Sequence, residues 1–346
     1  MLFKDLFKTF HRKLLFTTPS HAQKFFISHK LRHFYKFDIS ETDTHRPHDV
    51  LNSSQEWASD VYGTKQTLYL TNGSSSGIIT AVLALVNTDE KVLIWDKSHR
   101  CHQNAVVLAG AVPVYYSLNQ NSDWDIPERL LPDDLEQYLK TNDIKAVIVT
   151  SPSYEGIVSD IKTLKKVCEK YNTYLIVDEA HGALYPFSDE LPETAIKHAD
   201  VVVQSLHKTA GGLNPTALIH SNIDIDLRPA LDKISTTSPS YAMLATIEKN
   251  ISYLSSSRGK KAITKLIHSI KELRDSCKNI DFYGDDITKI LIKKDGLTGE
   301  ELSNILFDKF NIEDEKTNSK STMLLCGIGT SEKNLKRLAE VLRKIL

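Results

Sequence analysis

The sequence predicts an α/β fold, a mainly parallel seven-stranded sheet between helices, followed by a small α+β domain. The chain's 346 residues are more than one small core organises, which favours a large domain with a smaller one appended. From residue 68 onward, short β-branched or aromatic runs alternate with helical stretches. Beyond residue 255 that alternation gives way to strand, helix, strand, helix.

The seven runs are TLYL, KVLIWD, VPVYY, KAVIVTSP, TYLIVDEA, ADVVVQS and TALIHS. Their near-continuous apolarity marks strands buried on both faces, as in a parallel sheet covered by helices. Between IVTSP and YLIVDEA lies DIKTLKKVCEKY, apolar at Ile161, Leu164, Val167 and Cys168, the stripe of one amphipathic crossover helix. A long helical region follows TTSPSY and is broken around Ser257-Arg258-Gly259. The small domain is then read from ITKILIKK, TGEELSNILFDKF, TMLLCGIG and KNLKRLAEVLRKIL. The expected division is an N-terminal segment over 1–45, a large domain over 46–254 and a small domain over 255–346.

The N-terminal stretch MLFKDLFKTFHRKLLF spaces apolar and basic residues as a helix does. It has no continuous apolar core for a signal peptide and is too polar to span a bilayer, so a helix packed on a partner subunit is expected. Lys and Arg total 43 against 44 Asp and Glu, leaving no electrostatic reason to expect a nucleic acid or an anionic membrane as partner. Cys101, Cys168, Cys277 and Cys326 are far apart and show no metal-ligand spacing, which suits a reducing cytoplasm and no metal.

In open α/β sheets ligands bind beyond the carboxyl ends of the strands, so polar residues there are informative. The first run enters Asn72-Gly73-Ser74-Ser75-Ser76-Gly77 and then a helix, a turn whose N–H groups and hydroxyls suit a phosphate. YLIV delivers Asp178, a carboxylate that needs a cationic or multiply hydrogen-bonded partner where the core meets a cleft. VVVQ delivers Ser205-Leu206-His207-Lys208, and a lysine among apolar neighbours can lose its proton and attack an aldehyde. KVLIWD delivers His99, an imidazole placed to stack on a ring. Taken singly, each has a plainer reading: a serine N-cap, a capping Asp, a solvated Lys, a surface His. Together, an anion cradle, an Asp and a Lys on successive strand ends meet the requirements of pyridoxal phosphate.

In order along the chain, TNGSSSG, SHRCHQNAVVLAGAVPVYY, SPSYEGIVSDI, VDEAHGALYPF, DVVVQSLHKT and TTSPSY resemble the successive motifs of the Orn/Lys/Arg decarboxylases. FTTPSHAQKFF and FDISETD are similar to that family's TPGHK and DISEL segments. The resemblance implies a fold-type-I pyridoxal-phosphate enzyme that decarboxylates an amino acid, most naturally lysine, ornithine or arginine, and works as a homodimer or larger homo-oligomer. It makes Lys208 the Schiff-base lysine, Asp178 the partner of the pyridine nitrogen, and His99 and Ala180 the neighbours of the two ring faces. It gives Ser74, Ser75, Ser205 and His207 the phosphate, and sets His181 near the ring oxygen and the substrate carboxylate. Thr236 and Ser238 would reach the cofactor of the neighbouring subunit. His207 or Lys208 would return the proton.

The chain departs from the family at Leu184, where a histidine is usual, and at Pro215, where a glutamine is usual. It also reads as more compact than typical members, without a receiver-like N-terminal domain. These departures bear on the substrate. Tyr154, Glu155, Glu313, Asp314 and Glu315 are candidates for lining its pocket. Competing readings are an α-oxoamine synthase or aminotransferase reaction, echoed in DEAH and HKTAGGL, and a catalytically weak binding protein that keeps the fold.

Overall fold

The computed structural model describes residues 14–16, 47–237 and 239–345. All seven expected runs form strands: β1 (Gln66–Leu70), β2 (Lys91–Trp95), β3 (Val112–Tyr116), β4 (Ile144–Thr150), β5 (Tyr174–Asp178), β6 (Val201–Ser205) and β7 (Ala217–Ser221). They join one sheet in the order β1-β7-β6-β5-β4-β2-β3. Strands β2 to β6 are mutually parallel, and β7 runs antiparallel between β1 and β6. The chain steps outward from β2 to β3 and then returns past β2 to β4. The order therefore reverses between β2 and β4, which opens a crevice at the carboxyl ends of the strands there.

Helix α1 (Pro47–Tyr62) precedes β1, and α2 (Gly73–Leu85), α3 (Arg100–Leu108), α4 (Pro132–Thr141) and α5 (Ile161–Lys170) connect strands of the sheet. Successive strand side chains point to opposite faces, so each strand feeds two cores. On one face Ile78, Val82 and Val106 of α2 and α3 pack with Ile94, Ile148, Ile176 and Val203. On the other, Leu135 and Leu164 of α4 and α5 pack with Leu93, Val147, Val177 and Val202. Helix α5 buries Ile161, Leu164 and Cys168, as its spacing predicts. Gly77 sets how closely α2 rests on the sheet, because a Cβ there would lie 2.6 Å from Val203 Cγ1 and 2.8 Å from Leu70 Cδ1.

The long helical region divides into α6 (Tyr241–Ser255) and α7 (Ser257–Ser276). The break falls at Ser256, whose hydroxyl accepts the Gly259 N–H at 3.1 Å. Gly259 lies one turn into α7 because the end of α6 crowds it: a Cβ would sit 2.1 Å from the Tyr253 carbonyl oxygen. Beyond α7, strands β8 (Asp281–Tyr283), β9 (Lys289–Lys293), β10 (Lys316–Thr317) and β11 (Thr322–Leu325) form an antiparallel sheet in the order β8-β9-β11-β10. It is accompanied by α8 (Gly299–Asn304) and α9 (Glu332–Leu342).

One expectation is corrected. Where the N-terminal stretch is described, Leu14–Leu15 is a strand rather than a helix, paired parallel with Ile312–Glu313. The adjoining Phe16 is fully buried, donates its N–H to Glu313 O at 3.3 Å and accepts from Leu325 N at 2.9 Å. Backbone partners at Ile312–Glu313 and Leu325 and a buried aromatic ring outweigh the helical spacing there. The rest of residues 1–45, including most of FTTPSHAQKFF and all of FDISETD, lies outside the described residues. Among the described residues, no helix is long and apolar enough to cross a membrane.

Candidate active site

The turns that follow β1, β2, β4, β5 and β6 converge on a cleft of about 590 Å³. After β1 the chain enters α2 (Gly73 onward) through Asn72, whose side chain does not cap the helix. Gly73 turns with φ +76° and donates to the Pro215 carbonyl at 2.8 Å; Ser74 and Ser75 line the cleft beside it. Pro215 is thus part of the wall and anchors the α2 turn. Leu184, the other departure from the family, is 1% exposed and belongs to the core.

His99 follows β2, lines the cleft and caps α3, its Nδ1 accepting the Cys101 N–H at 3.2 Å. Partial burial holds its pKa below the usual value, against the attraction of Asp178 and with the repulsion of Lys208. Asp178, the last residue of β5, is 6% exposed and also lines the cleft. Its Oδ2 accepts from His102 Nε2 at 2.9 Å and its Oδ1 from the Ala180 N–H at 3.2 Å. Burial alone would push this carboxyl up, but His102, Lys208 and the Ala180 N–H together hold it below the usual carboxylate value.

His102 is a residue that sequence reasoning missed, as it did Thr150 and Lys316 of the cleft wall. It is fully buried on α3, three positions after His99 in SHRCHQN, so the available signal was a second histidine one helical turn behind the first. Cys101, His102 and Asp178 bring three ligand-type atoms within 4.8 Å of one another, but the imidazole–carboxylate hydrogen bond already joins two of them.

Beyond β6 the backbone makes one π-helical turn, Leu206–Ala210, ended by Gly211 in the left-handed region at φ +83°. Lys208 lies in that turn with Nζ 3.1 Å from His181 Nε2. His181 Nδ1, on the other side of the ring, is buried without a hydrogen-bond partner among the described residues. Burial lowers the Lys208 pKa, opposed by Asp178 and assisted by Lys289. Burial, then Lys208 and Lys289, hold His181 well below its ordinary value, so its ring is neutral. His207 lines the cleft and its Nδ1 donates to the Thr216 carbonyl at 3.1 Å.

The structure therefore brings Ser74, Ser75, His99, Asp178, Ala180, His181, His207 and Lys208 to one cleft. Ser205 is fully buried and is not part of the cleft wall; its hydroxyl has no hydrogen-bond partner. Thr236 is exposed and does not line the cleft of its own chain, and Ser238 lies outside the described residues. Tyr154 and Glu155 do line it, together with Lys316 of β10. Glu315 accepts from Tyr154 Oη at 2.5 Å, whereas Asp314 takes hydrogen bonds from Ser303, Thr317 and Thr322. Neither Glu313 nor Asp314 is part of the wall.

The profile described as Orn/Lys/Arg decarboxylase, major domain, matches residues 2–291. The chain belongs to the Orn/Lys/Arg decarboxylase family. It is 27% identical to the arginine decarboxylase of Bacillus subtilis (strain 168) over 325 residues, an alignment covering 88% of this chain and 66% of the relative. It is 25% identical to the inducible ornithine decarboxylase of Lactobacillus sp. (strain 30a) over 256 residues, covering 64% and 35%. The constitutive lysine decarboxylase of E. coli superposes with a TM-score of 0.78 at 19% identity, over 98% of this chain and 59% of that one. The ureidoglycine–glyoxylate aminotransferase of Bacillus subtilis superposes with a TM-score of 0.68 at 13% identity, over 90% and 88%. At those identities the two structures establish the fold, the fold-type-I pyridoxal-phosphate fold, and nothing finer. The chain spans about two thirds of the length of the arginine decarboxylase and less of the lysine decarboxylase.

Pyridoxal phosphate is the cofactor of this family and fold, and the residues present fit it. A lysine of lowered pKa and an ionised carboxylate share the cleft with an uncapped helix N-terminus. Thr150 Oγ1, in the wall, and Ser205 Oγ are buried hydroxyls with no partner of their own.

Proposed function

We propose that this chain carries out the pyridoxal-phosphate-dependent decarboxylation of a basic amino acid, releasing CO2 and the corresponding amine. The observation that carries the reading is the convergence of Lys208 and Asp178 on one cleft at the sheet's switch point, with His181 Nε2 3.1 Å from the lysine amine. The family and its relatives named arginine and ornithine decarboxylase support the substrate class.

Bound pyridoxal phosphate supplies the electron sink that accepts the pair left behind when the α-carboxylate departs as CO2. Lys208 would hold it through its amine, which burial keeps less basic than a free lysine. Asp178, ionised and fixed by His102, would accept a hydrogen bond from a protonated ring nitrogen. Ser74, Ser75 and His207, which line the cleft, would hold the phosphate, and His99 and Ala180 would face the two sides of the ring. His181 Nε2, 3.1 Å from the Lys208 amine, would orient it, and His207 or Lys208 would return a proton to the α-carbon.

We further propose the division into domains 46–254 and 255–346, and a homodimer in which exposed Thr236, with Ser238, reaches the neighbouring cleft. The four cysteines are all free and buried, in keeping with a reducing cytoplasm. The test is to incubate the purified protein with cofactor and single amino acids while following CO2, amine and keto acid. Amine from lysine, ornithine or arginine is expected; keto acid without CO2 refutes decarboxylation in favour of transamination. Lys208→Ala should lose both turnover and the absorbance of the attached cofactor.

A further inference from the structure

Glu155 follows β4 in a turn held by backbone and side chain alike. The Ser153 N–H donates to the Ile157 carbonyl at 2.8 Å and the Ser153 hydroxyl donates to Glu155 Oε2 at 3.1 Å. Gly156 adopts φ +91° there, where a Cβ would lie 2.8 Å from Lys289 Cγ. The Glu155 carboxylate is 1% exposed yet belongs to the cleft wall, and its Oε1 is ion-paired with Lys316 Nζ from β10 of the small domain. The lysine is 39% exposed and its Nζ lies 5.2 Å from the centroid of the Tyr154 ring.

Among the described residues lining the cleft, the carboxylates are Asp178 and Glu155. Asp178 is engaged by His102, so a cation at the far end of a substrate has Glu155 as its acceptor. Trp95, Pro127 and Tyr154 line the same wall and suit an aliphatic stem. A buried carboxylate without a counter-ion is costly, and Lys316 provides that counter-ion from a side chain long enough to swing its ammonium into water.

Resting on the decarboxylase reading above, we infer that Glu155 binds the terminal cation of the substrate and that Lys316 is an internal stand-in which yields that position to it. Substrate and Lys316 exchange on one carboxylate. The exchange leaves the buried charge paired throughout and selects against amino acids whose side chain ends without a cation.

Pentane-1,5-diamine and pentylamine, titrated calorimetrically into the cofactor-loaded protein, read this subsite without turnover. The wild type should prefer the diamine by about tenfold or more, the scale of one charge-assisted hydrogen bond. Glu155→Gln should abolish the preference, and Lys316→Met should tighten the diamine several-fold while leaving pentylamine unchanged. Equal affinities in the wild type, or a diamine affinity unchanged or weakened in Lys316→Met, would overturn the assignment. Should Glu155→Gln fail to fold, Lys316→Met decides alone. Failure of the decarboxylase reading shows separately, as absence of CO2 from every basic amino acid while the diamine preference persists.

Discussion

Glu179 directly follows Asp178 and points the other way, into the protein, where it is 1% exposed. Its carboxyl accepts from Thr194 Oγ1 at 2.8 Å, Ala195 N at 2.6 Å and Gln204 Nε2 at 2.6 Å. Burial outweighs these three donors and pushes its pKa from 4.5 to about 7. Between those values the folded protein holds a proton that the unfolded chain has released. Stability therefore falls as pH rises from 4.5 to about 7 and changes no further above it. At 1.36 kcal/mol per pH unit, that interval is worth about 3 kcal/mol. Glu179→Gln removes the titration, and Gln204 Oε1, which has no partner, can turn to accept from the new amide. Urea unfolding followed by circular dichroism at pH 5 and pH 8 should show the wild type losing about 3 kcal/mol more than the variant across that range. An identical loss in both proteins would refute the idea that burying Glu179 costs its charged form more than its donors return.

Two further substitutions test the packing and electrostatics of the site. His102→Phe removes the group that does most to hold the Asp178 carboxyl down, so cofactor affinity, read by absorbance titration at pH 7, should fall roughly 10- to 100-fold; unaltered affinity would make His102 a core histidine only. Gly77→Ala drives a methyl group against Val203 and Leu70 and should cost about 1–3 kcal/mol in urea unfolding.

The sheet was legible because strands buried on both faces must be apolar along their whole length, and each of the seven runs was bounded by polar turns. Lys208 and Asp178 were legible for the complementary reason: a charge that ends such a run lies at the mouth of the sheet, where ligands bind. His102 carried no such mark. Inside a helix, a histidine three residues after another reads as packing until the fold lays α3 against the end of β5. Glu155 stayed ambiguous because its partner is Lys316, 161 residues further along the chain. The strand at Leu14–Leu15 was hidden for a similar reason, since its partner Ile312–Glu313 is almost the whole chain away and local spacing carries no trace of it. Local pattern reports burial; it does not report which distant segment does the burying.

The charges at the cleft floor are arranged unequally, and the inequality has a use. Burial opposes charge on Asp178 and on Lys208 alike, yet both pKa values move down, leaving the carboxylate charged and the amine closer to neutral. The difference lies in the neighbours. Asp178 has the hydrogen bond from His102 and the charge of Lys208 on its side, whereas Lys208 has the attraction of Asp178 set against the repulsion of Lys289. Lys289 is itself fully buried, paired with Asp286 at 2.9 Å and 3.3 Å from the His181 carbonyl. Removing it alone would strand the Asp286 charge, so the pair is best replaced together, as Lys289→Met with Asp286→Asn. That double variant should raise the Lys208 pKa by relieving repulsion, and the pH midpoint for attaching cofactor, read by absorbance, should move up. A midpoint that stays or moves down would mean that burial, not Lys289, lowers the pKa of the lysine and that the second buried lysine serves only to hold β9 against the loop carrying His181.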